Sequence, residues 1–213
     1  MEMTIANKER FCLFAAALIA PPEAALVHDL EQNELREWLN VYVEAWGADR
    51  QLLAPFLRQP DADDFLSGLQ REYMHLFDPN EEDKISLVES TYKRWTADKT
   101  CGMIFAASKG LLMGDCAAHM LDLYRELSIE IPQEFRGMPD HLALELEFLA
   151  LLYQSGSKEQ IEEFIADHLD WVPDLEREIK NSTSPRGFYL NSIELINLFL
   201  QNETGKGKNR AHG

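Results

Sequence analysis

The sequence predicts an all-α protein built as a helical bundle, and three observations support this prediction. Apolar residues recur at helical spacing along most of the chain. Half-buried strands are typically runs of alternating β-branched residues bounded by turn signals, and the sequence contains no such run. With 213 residues, of which 46% are hydrophobic and 10% aromatic, the chain is long enough and apolar enough to bury a sizeable core.

The predicted elements of the first half are four helices and one short ordered segment, at 6–20, 23–30, 34–46, 61–77 and 87–95. The first helix ends at Pro21 and Pro22 because a proline disfavours the helical region for the residue before it. Asn33 is expected to cap the third helix through its side-chain oxygen. The acidic run 78–83 is expected to form a solvated loop, since like charges without apolar residues cannot pack.

The predicted elements of the second half are one or two helices at 103–127 and further helices at 142–154, 158–169, 174–181 and 187–202. Gly110 and Gly114 are the candidate breaks in the first of these. Residues 142–148 alternate apolar and polar side chains like a strand. Leu, Ala and Glu are strong helix formers, however, so we predict a deeply buried helix there.

A hinge is predicted between two helical parts. The segment 128–140 contains Pro132, Gly137 and Pro139 and has no sustained helical period. The predicted organisation is a larger N-terminal domain, the hinge, a smaller C-terminal domain and a flexible tail, at 1–127, 128–140, 141–202 and 203–213.

The charge of the chain limits its partners. With 37 acidic and 20 basic residues, the formal net charge is −17. This argues against nucleic acid as the main partner, because binding a phosphate backbone takes clustered Lys and Arg, and it disfavours docking on an anionic membrane. The longest apolar run, 11–22, is shorter than the roughly 20 residues needed to cross a bilayer, and Glu9 precedes it where a secretory signal would be basic. We therefore expect a cytoplasmic protein without stable membrane insertion.

Motifs for catalysis or cofactor binding are missing from the sequence. The three cysteines, Cys12, Cys101 and Cys116, are odd in number and form no Cys-x-x-Cys pair, which argues against a disulfide framework or a zinc knuckle. There is no Gly-x-x-x-x-Gly-Lys-Ser/Thr loop, no Gly-x-Gly-x-x-Gly and no Gly-x-Ser-x-Gly elbow. We therefore expect neither enzymatic activity nor a bound cofactor.

One metal arrangement is an alternative. Glu72-x-x-His75 matches half of a carboxylate-bridged di-iron signature, and His141 and Glu145 are one helical turn apart. The complete four-helix site needs two Glu-x-x-His motifs, and no second one occurs in the chain. We expect no metal, and a helical metalloprotein using these four residues is the alternative.

Two groups of residues are candidates for binding a peptide. Tyr73, Leu76 and Phe77 are spaced i, i+3, i+4 and form one apolar stripe, which is either core or the wall of a groove. Asp140 follows a proline at the start of a helix, where its carboxylate either caps the first turn or pairs with an arginine. His141 is then placed in the first turn, where the helix dipole disfavours its charged form.

These residues lie in two blocks that resemble the TorD/DmsD family, cytoplasmic chaperones that bind the twin-arginine signal peptides of molybdenum-cofactor oxidoreductases. The first block reads Tyr73-x-x-Leu76-Phe77, then Pro79, then Glu89-Ser90-x-Tyr92. The second block reads Pro139-Asp140-His141 followed by Glu145-Leu146-Glu147-Phe148.

The resemblance implies an all-helical chaperone whose partners are a twin-arginine signal peptide and the apo catalytic subunit of a molybdoenzyme. The residues implied in peptide binding are Tyr73, Leu76, Phe77, Pro139, Asp140 and His141. Those implied in structural support are Pro79, Glu89, Ser90, Tyr92 and Glu145. We expect a monomer, with a domain-swapped dimer as the alternative. An acidic helical adaptor unrelated to export is the remaining alternative for the function.

Overall fold

The fold consists of α-helices joined by turns and short irregular segments. The computed structural model describes residues 3–57, 62–78, 84–182 and 187–205. The helices are α1 Ile5–Ile19, α2 Ala24–Glu31, α3 Asn33–Ala45, α4 Ala54–Leu57, α5 Ala62–Phe77, α6 Glu89–Tyr92, α7 Asp115–Glu126, α8 Leu142–Ser155, α9 Lys158–His168, α10 Val172–Asn181 and α11 Phe188–Glu203, with 3-10 turns at Arg50–Leu53 and Gln133–Phe135. No strand occurs within the described ranges, where an isolated bridge pairs Val88 with His141. The all-α prediction is confirmed.

The helices are short. The longest of them, α5 and α11, have 16 residues each, fewer than the roughly 20 that cross a bilayer. Within the described parts of the chain, no helix is both long and apolar enough to span a membrane.

The core is centred on α8. This helix is apolar around most of its circumference, and its Leu142, Leu146 and Leu149 are completely buried. α1 packs along α8, and α11 packs on both α1 and α10. Phe11 of α1 stacks on Phe199 of α11 with 4.4 Å between the ring centroids. The prediction of a deeply buried helix at this strand-like stretch is confirmed.

Helices from both sides of the predicted hinge share one hydrophobic core. α1 precedes the segment 128–140, whereas α8 and α11, against which it packs, follow that segment. The same cluster of buried residues contains Leu39 and Val43 of α3 together with Ile193 and Ile196 of α11. The division into two domains stays a prediction, and any such domains would be joined through this core.

The first helix ends at the predicted signal, whereas the predicted cap of the third helix is not formed. α1 begins after Thr4, whose hydroxyl accepts a hydrogen bond from a first-turn amide at 3.3 Å. It ends before Ala20, which is extended in front of Pro21. The predicted cap at Asn33 is wrong. Gln32 alone separates α2 from α3, so Asn33 is already helical, and Gln32 is the N-cap residue without a side-chain cap hydrogen bond.

The predicted helix at 103–127 is wrong over its first half, because α7 begins only at Asp115. Gly110 has a φ of +82° and Met113 a φ of +59°, and this left-handed backbone cannot continue a right-handed helix. Gly114 lies against Trp95, and a Cβ on it would be 2.6 Å from the Trp95 carbonyl oxygen. Glycine at this position therefore permits the close backbone approach that precedes α7.

Candidate functional site

Backbone hydrogen bonds tie the second motif block to the segment before α6. They run from the Leu142 amide to the Leu87 carbonyl at 2.9 Å and from the Glu89 amide to the Asp140 carbonyl at 3.0 Å. The isolated bridge of Val88 and His141 lies between them. We call residues 87–89 and 140–142 the clasp. It brings parts of the two motif blocks, far apart in the sequence, into direct contact.

The Asp140 side chain lies inside the clasp. It is completely buried, and its Oδ2 accepts hydrogen bonds from the Ser90 amide at 2.7 Å and from the Ser90 hydroxyl. Burial raises the pKa of the Asp140 carboxyl, and the two bonds from Ser90 act against that rise. The other oxygen, Oδ1, has no hydrogen-bond partner among the described residues. The carboxylate therefore holds the start of α6.

His141 occupies the capping position of α8. Its Nδ1 accepts a hydrogen bond from the Ala143 amide at 3.2 Å, which requires a neutral ring protonated on Nε2. Burial lowers the pKa of His141 to about 4, so the ring is neutral at physiological pH. The interpretation of Asp140 as the cap of this helix is wrong, and so is the placement of His141 in the first turn. The Asp140 carbonyl and carboxylate bind residues of α6, and the next residue, His141, caps α8 in its place.

Next to the clasp, and including its Glu89, lies a cluster of four ionisable side chains and one tryptophan, all buried except the partly exposed Lys93. Glu89 Oε2 and His168 Nδ1 are 2.8 Å apart, and Lys93 Nζ lies 2.6 Å from Glu89 Oε1. Trp171 donates its indole N–H to Glu145 Oε2 at 3.2 Å. We call these five side chains the buried acid cluster.

The two carboxyl groups of this cluster have opposite pKa shifts. Burial opposes the charge of Glu89, but the hydrogen bond from His168 and the charges of His168 and Lys93 together hold the Glu89 pKa below its usual range. Burial and the neighbouring Glu89 raise the pKa of Glu145 well above its usual range. The cluster therefore favours the protonated form of Glu145 and the ionised form of Glu89, relative to exposed glutamates.

A divalent metal ion is one ligand that the donor set of this cluster suits. Donor atoms of Glu89, Glu145 and His168 lie within 4.8 Å of one another, and carboxylate and imidazole groups bind first-row transition metals. In the described structure, however, the Lys93 ammonium supplies a positive charge to Glu89. A metal bound through Glu89 would compete with that ammonium group.

The metal-binding set considered from the sequence is not brought together. Glu72 on α5 accepts a hydrogen bond from the Tyr189 amide on α11 at 3.2 Å, and His75 is exposed. His141 caps α8, and Glu145 lies in the buried acid cluster. Within the part of the chain that the structure describes, these four residues do not form a group of neighbouring metal ligands.

The apolar stripe of α5 faces α11. Leu76 and Phe77 are buried, and Tyr73 is half-buried. The Tyr73 and Phe77 rings each meet Tyr189 edge-on, with centroids 5.5 and 5.3 Å away. In this conformation the stripe belongs to the core. The Ile85 amide donates to the Leu76 carbonyl at 2.8 Å, which connects the stripe to the segment that enters the clasp.

The remaining motif residues lie around the same region. Pro139 is buried, and its carbonyl accepts a hydrogen bond from the Tyr124 hydroxyl at 3.0 Å. The Tyr92 ring stacks on Trp171 with 4.8 Å between centroids. Pro79 and the acidic residues 81–83 lie outside the described residues.

Sequence reasoning missed three members of the buried acid cluster. Lys93 follows Glu89 by four residues, and this spacing on a helical turn was a usable signal for an ion pair. His168 is the last residue of α9 and Trp171 is the N-cap residue of α10, and neither has a motif around it. Only tertiary packing brings them to Glu89 on α6 and Glu145 on α8.

Comparison with known proteins is consistent with these motif blocks. The sequence model of the nitrate reductase delta subunit family matches residues 33–177, a range that contains both blocks and more than half of the chain. The Chaperone protein TorD of Photobacterium profundum is 31% identical over 110 residues, which cover 46% of this chain and 50% of that protein. The chain thus matches half the length of this curated relative.

A solved structure shares the fold. The crystal structure of a redox enzyme maturation protein from Archaeoglobus fulgidus has a TM-score of 0.57 to this chain at 17% sequence identity, and the match covers 94% of this chain and 96% of that one. The family match, supported by the motif blocks and the shared helical fold, identifies the relationship. The chain belongs to the nitrate reductase delta subunit family and is TorD/DmsD-like.

Proposed function

We propose that this chain is a cytoplasmic chaperone that binds the twin-arginine signal peptide, and also the apo catalytic subunit, of a molybdenum-cofactor oxidoreductase. Its role in this proposal is to delay export until the cofactor is inserted, which needs no catalytic residue and no cofactor of its own. Family membership supports the general role, and the curated relative is named a chaperone. The single observation that carries the proposal is the buried Asp140 carboxylate, one oxygen of which has no partner among the described residues.

An arginine guanidinium is a suitable ligand for this carboxylate. In the closed clasp a single described residue, Ser90, donates to the Asp140 carboxylate, through its amide and its hydroxyl group, both neutral donors to Oδ2. A guanidinium offers two parallel charged N–H donors, which also reach the second oxygen, and such charge-assisted bonds are roughly twice as strong as neutral ones. Exchange of Ser90 for a peptide arginine is therefore the recognition step that we propose.

Peptide binding at these residues requires the clasp to open. Asp140, His141, Leu76 and Phe77 are all buried in the closed conformation. Opening breaks backbone hydrogen bonds worth roughly 1 kcal/mol each and bonds to the carboxylate worth roughly 1.5–3 kcal/mol each. The apparent affinity is the intrinsic affinity multiplied by the fraction of molecules that are open, so we expect moderate affinity. In the open form, the apolar segment of the peptide packs on the α5 stripe in place of residues 84–88.

The charge of the chain favours this partner. A net charge of −17 attracts the basic start of a twin-arginine peptide over long range. That attraction is screened over about 8 Å at physiological salt. We therefore expect association with the peptide to be faster and tighter at low ionic strength.

Isothermal titration calorimetry with synthetic twin-arginine signal peptides of molybdoenzymes tests the proposal. The titrations compare the wild type with Asp140→Asn at two salt concentrations. Asp174→Asn is the control, since Asp174 is a partly exposed acid paired with Arg177. We expect saturable binding that weakens with salt and is about tenfold or more weaker in Asp140→Asn.

Circular dichroism melts separate a folding defect from a binding defect. Asp140→Asn that folds and binds every peptide as tightly as the wild type would remove Asp140 from the site. Failure of all the peptides to bind the wild-type protein would overturn the proposed function itself.

A further inference from the structure

Exposed apolar side chains are concentrated in one loop of the structure. We call residues 103–113 the apolar loop. Its exposed large apolar side chains, with their exposed fractions, are Met103 52%, Ile104 103%, Phe105 36%, Leu111 36%, Leu112 47% and Met113 45%. Single exposed apolar residues are ordinary, but a cluster of this kind marks an interaction surface.

Contacts with Trp95 hold the apolar loop in place. The Trp95 amide donates to the Ser108 carbonyl at 2.9 Å, and the Asp115 amide donates to the Trp95 carbonyl at 2.8 Å. The Phe105 ring meets the Trp95 ring edge-on at 5.0 Å. The run 103–105 thus meets Trp95 through Phe105. The run 111–113 lies between Ser108 and Asp115, which both hydrogen-bond to Trp95, so both runs are held near this residue.

The backbone of the loop is strained where its side chains are exposed. Met113 has a φ of +59°, a left-handed conformation that is unfavourable for a residue with a side chain. In addition, apolar side chains that stay exposed to water do not contribute the stabilisation that burial provides. Contacts within the described fold do not bury these side chains. A binding partner that covered these side chains would remove their apolar surface from water.

An acidic stripe continues from the loop along α7. Asp115, Asp122 and Glu126 are exposed, and spacings of seven and four residues place them on one face of the helix. Asp122 also pairs with Arg125 in an exposed ion pair, which is a weak interaction. The stripe begins two residues after Met113, so the apolar patch has an anionic border on its α7 side.

An apolar patch can bind a second copy of the chain, a membrane or another polypeptide, and the charge of the chain distinguishes among these partners. Residues 98–115 hold two acidic and two basic side chains and are neutral, whereas the whole chain carries −17. Repulsion between two such acidic molecules disfavours a second copy, and repulsion from anionic lipid disfavours a membrane. A polypeptide with apolar residues beside basic ones has the complementary chemistry.

We propose that the apolar loop and the α7 stripe bind apolar, basic-flanked segments of the non-native mature chain of the client. This inference rests on the proposed function and deepens it, because it gives the apo catalytic subunit a surface separate from the residues proposed for the signal peptide. The patch is accessible in the closed conformation, whereas Asp140 and Leu76 are not. Flexible methionines such as Met103 and Met113 allow it to fit different apolar segments.

Fluorescence anisotropy with two labelled non-native chains tests this inference. One is reduced and alkylated lysozyme, which is basic. The other is reduced and alkylated α-lactalbumin, which is acidic and of similar length. Alkylation prevents thiol exchange with Cys101. We expect the wild type to bind the basic chain about tenfold or more tightly than the acidic one, and this preference to shrink with salt.

Paired substitutions locate the surface. The test variant is Ile104→Ser with Leu112→Ser, and the control variant is Ile5→Ser with Leu13→Ser. The pairs are matched in residue type, and Leu13 and Leu112 are each 47% exposed. We expect the test variant to bind lysozyme about tenfold more weakly and the control variant to bind it like the wild type. Asp122→Asn with Glu126→Gln is expected to weaken binding at low salt only.

Several outcomes would overturn the inference. One is equal binding of lysozyme by the test and control variants. Another is a sedimentation experiment in which the wild type is a dimer and the test variant a monomer, because a second copy would then cover the loop. A third is loss of twin-arginine peptide binding in the test variant with lysozyme binding intact, which would place the loop in the signal-peptide site. Failure of the wild type to bind any signal peptide would overturn the proposed function and leave the lysozyme comparison valid.

Discussion

The clasp and the apolar loop both depart from the usual pattern of apolar side chains inside and ionisable side chains outside, each in its own way. The clasp and its neighbouring cluster bury ionisable groups completely, among them Asp140, Glu89 and Glu145, whereas the loop exposes Ile104 and Leu112 to solvent. Burying a polar group costs stability unless it is hydrogen-bonded, and an apolar group that stays exposed does not contribute the stabilisation that burial provides. The comparison shows that the clasp is specified by buried polar contacts, whereas the described fold leaves the apolar side chains of the loop uncovered. We expect the two to respond differently to substitution.

The largest expected difference is in the response to acid. Burial lowers the folded-state pKa of His141 from 6.5 to about 4, so between these values the unfolded chain binds a proton that the folded protein does not. The stability from the neutral ring is therefore complete above pH 6.5 and is lost as the pH falls toward 4. We expect the wild type to lose about 3 kcal/mol relative to His141→Asn over this range. The asparagine keeps an N-cap acceptor but does not titrate.

Urea denaturation at several pH values measures this loss. His28→Asn is the control, because His28 is exposed. Parallel stability profiles of the wild type and His141→Asn would show that the fold does not hold the His141 ring neutral, and therefore that the clasp does not keep this ring away from water.

The second expected effect is a larger loss of stability for a substitution in the clasp than for one at the surface. Asp140→Ala removes the acceptor of the Ser90 amide and hydroxyl, which then lie buried and unpaired. We expect a loss of about 2 kcal/mol in the free energy of unfolding. Asp174→Ala removes a partly exposed, ion-paired carboxylate and is expected to change it by less than about 0.5 kcal/mol. Chemical denaturation at neutral pH compares the two variants. Equal losses would show that the Asp140 contacts stabilise the fold no more than a surface ion pair does.

The third prediction concerns the equilibrium between closed and open clasp. Ser90→Ala removes the hydroxyl donor but keeps the amide donor to Asp140. We expect a loss of about 1 kcal/mol in stability and, since the open form becomes more populated, up to about fivefold tighter binding of a twin-arginine peptide. Calorimetry measures the affinity. Weaker binding in a folded Ser90→Ala protein would mean that Ser90 contacts the peptide and does not compete with it.

The smallest expected effect is at the tip of the apolar loop. The Ile104 side chain is fully exposed, so Ile104→Ser is expected to change the free energy of unfolding by less than about 0.5 kcal/mol. Leu146→Ser, in the core of α8, is the contrasting variant and is expected to unfold or strongly destabilise the protein. Thermal denaturation compares the two. A large loss for Ile104→Ser would show that the loop packs against the fold.

The sequence predicted the fold better than the site, for identifiable reasons. Local signals decided the helices: Pro21 ended α1, and the helix-forming residues of 142–154 outweighed their strand-like alternation. The same local signals were wrong at 103–114, because the left-handed Met113 and the approach of Gly114 to Trp95 depend on contacts outside that segment. A methionine carries no sequence signal for a positive φ.

The motif residues were identified from the resemblance, but their contacts were not. Asp140 and His141 were expected at the start of a helix, and they are there. Which of the two caps it depends on Ser90, fifty residues away. Nothing near His168 indicates that it meets Glu89. Pairings between distant segments follow from packing, which periodicity and capping rules do not contain.

The packing of α1 along α8 has a consequence for synthesis on the ribosome. Phe11, Cys12 and Ala15 are completely buried, yet the helix that covers much of this face ends at Ser155, and Phe199, which stacks on Phe11, comes later still. An emerging chain therefore carries an uncovered apolar helix until α8, which ends at Ser155, has also been translated. Contacts of such long sequence separation slow folding and prolong exposure to aggregation. A protein proposed to protect other nascent enzymes would thus have, in its own first helix, a segment that needs protection during synthesis.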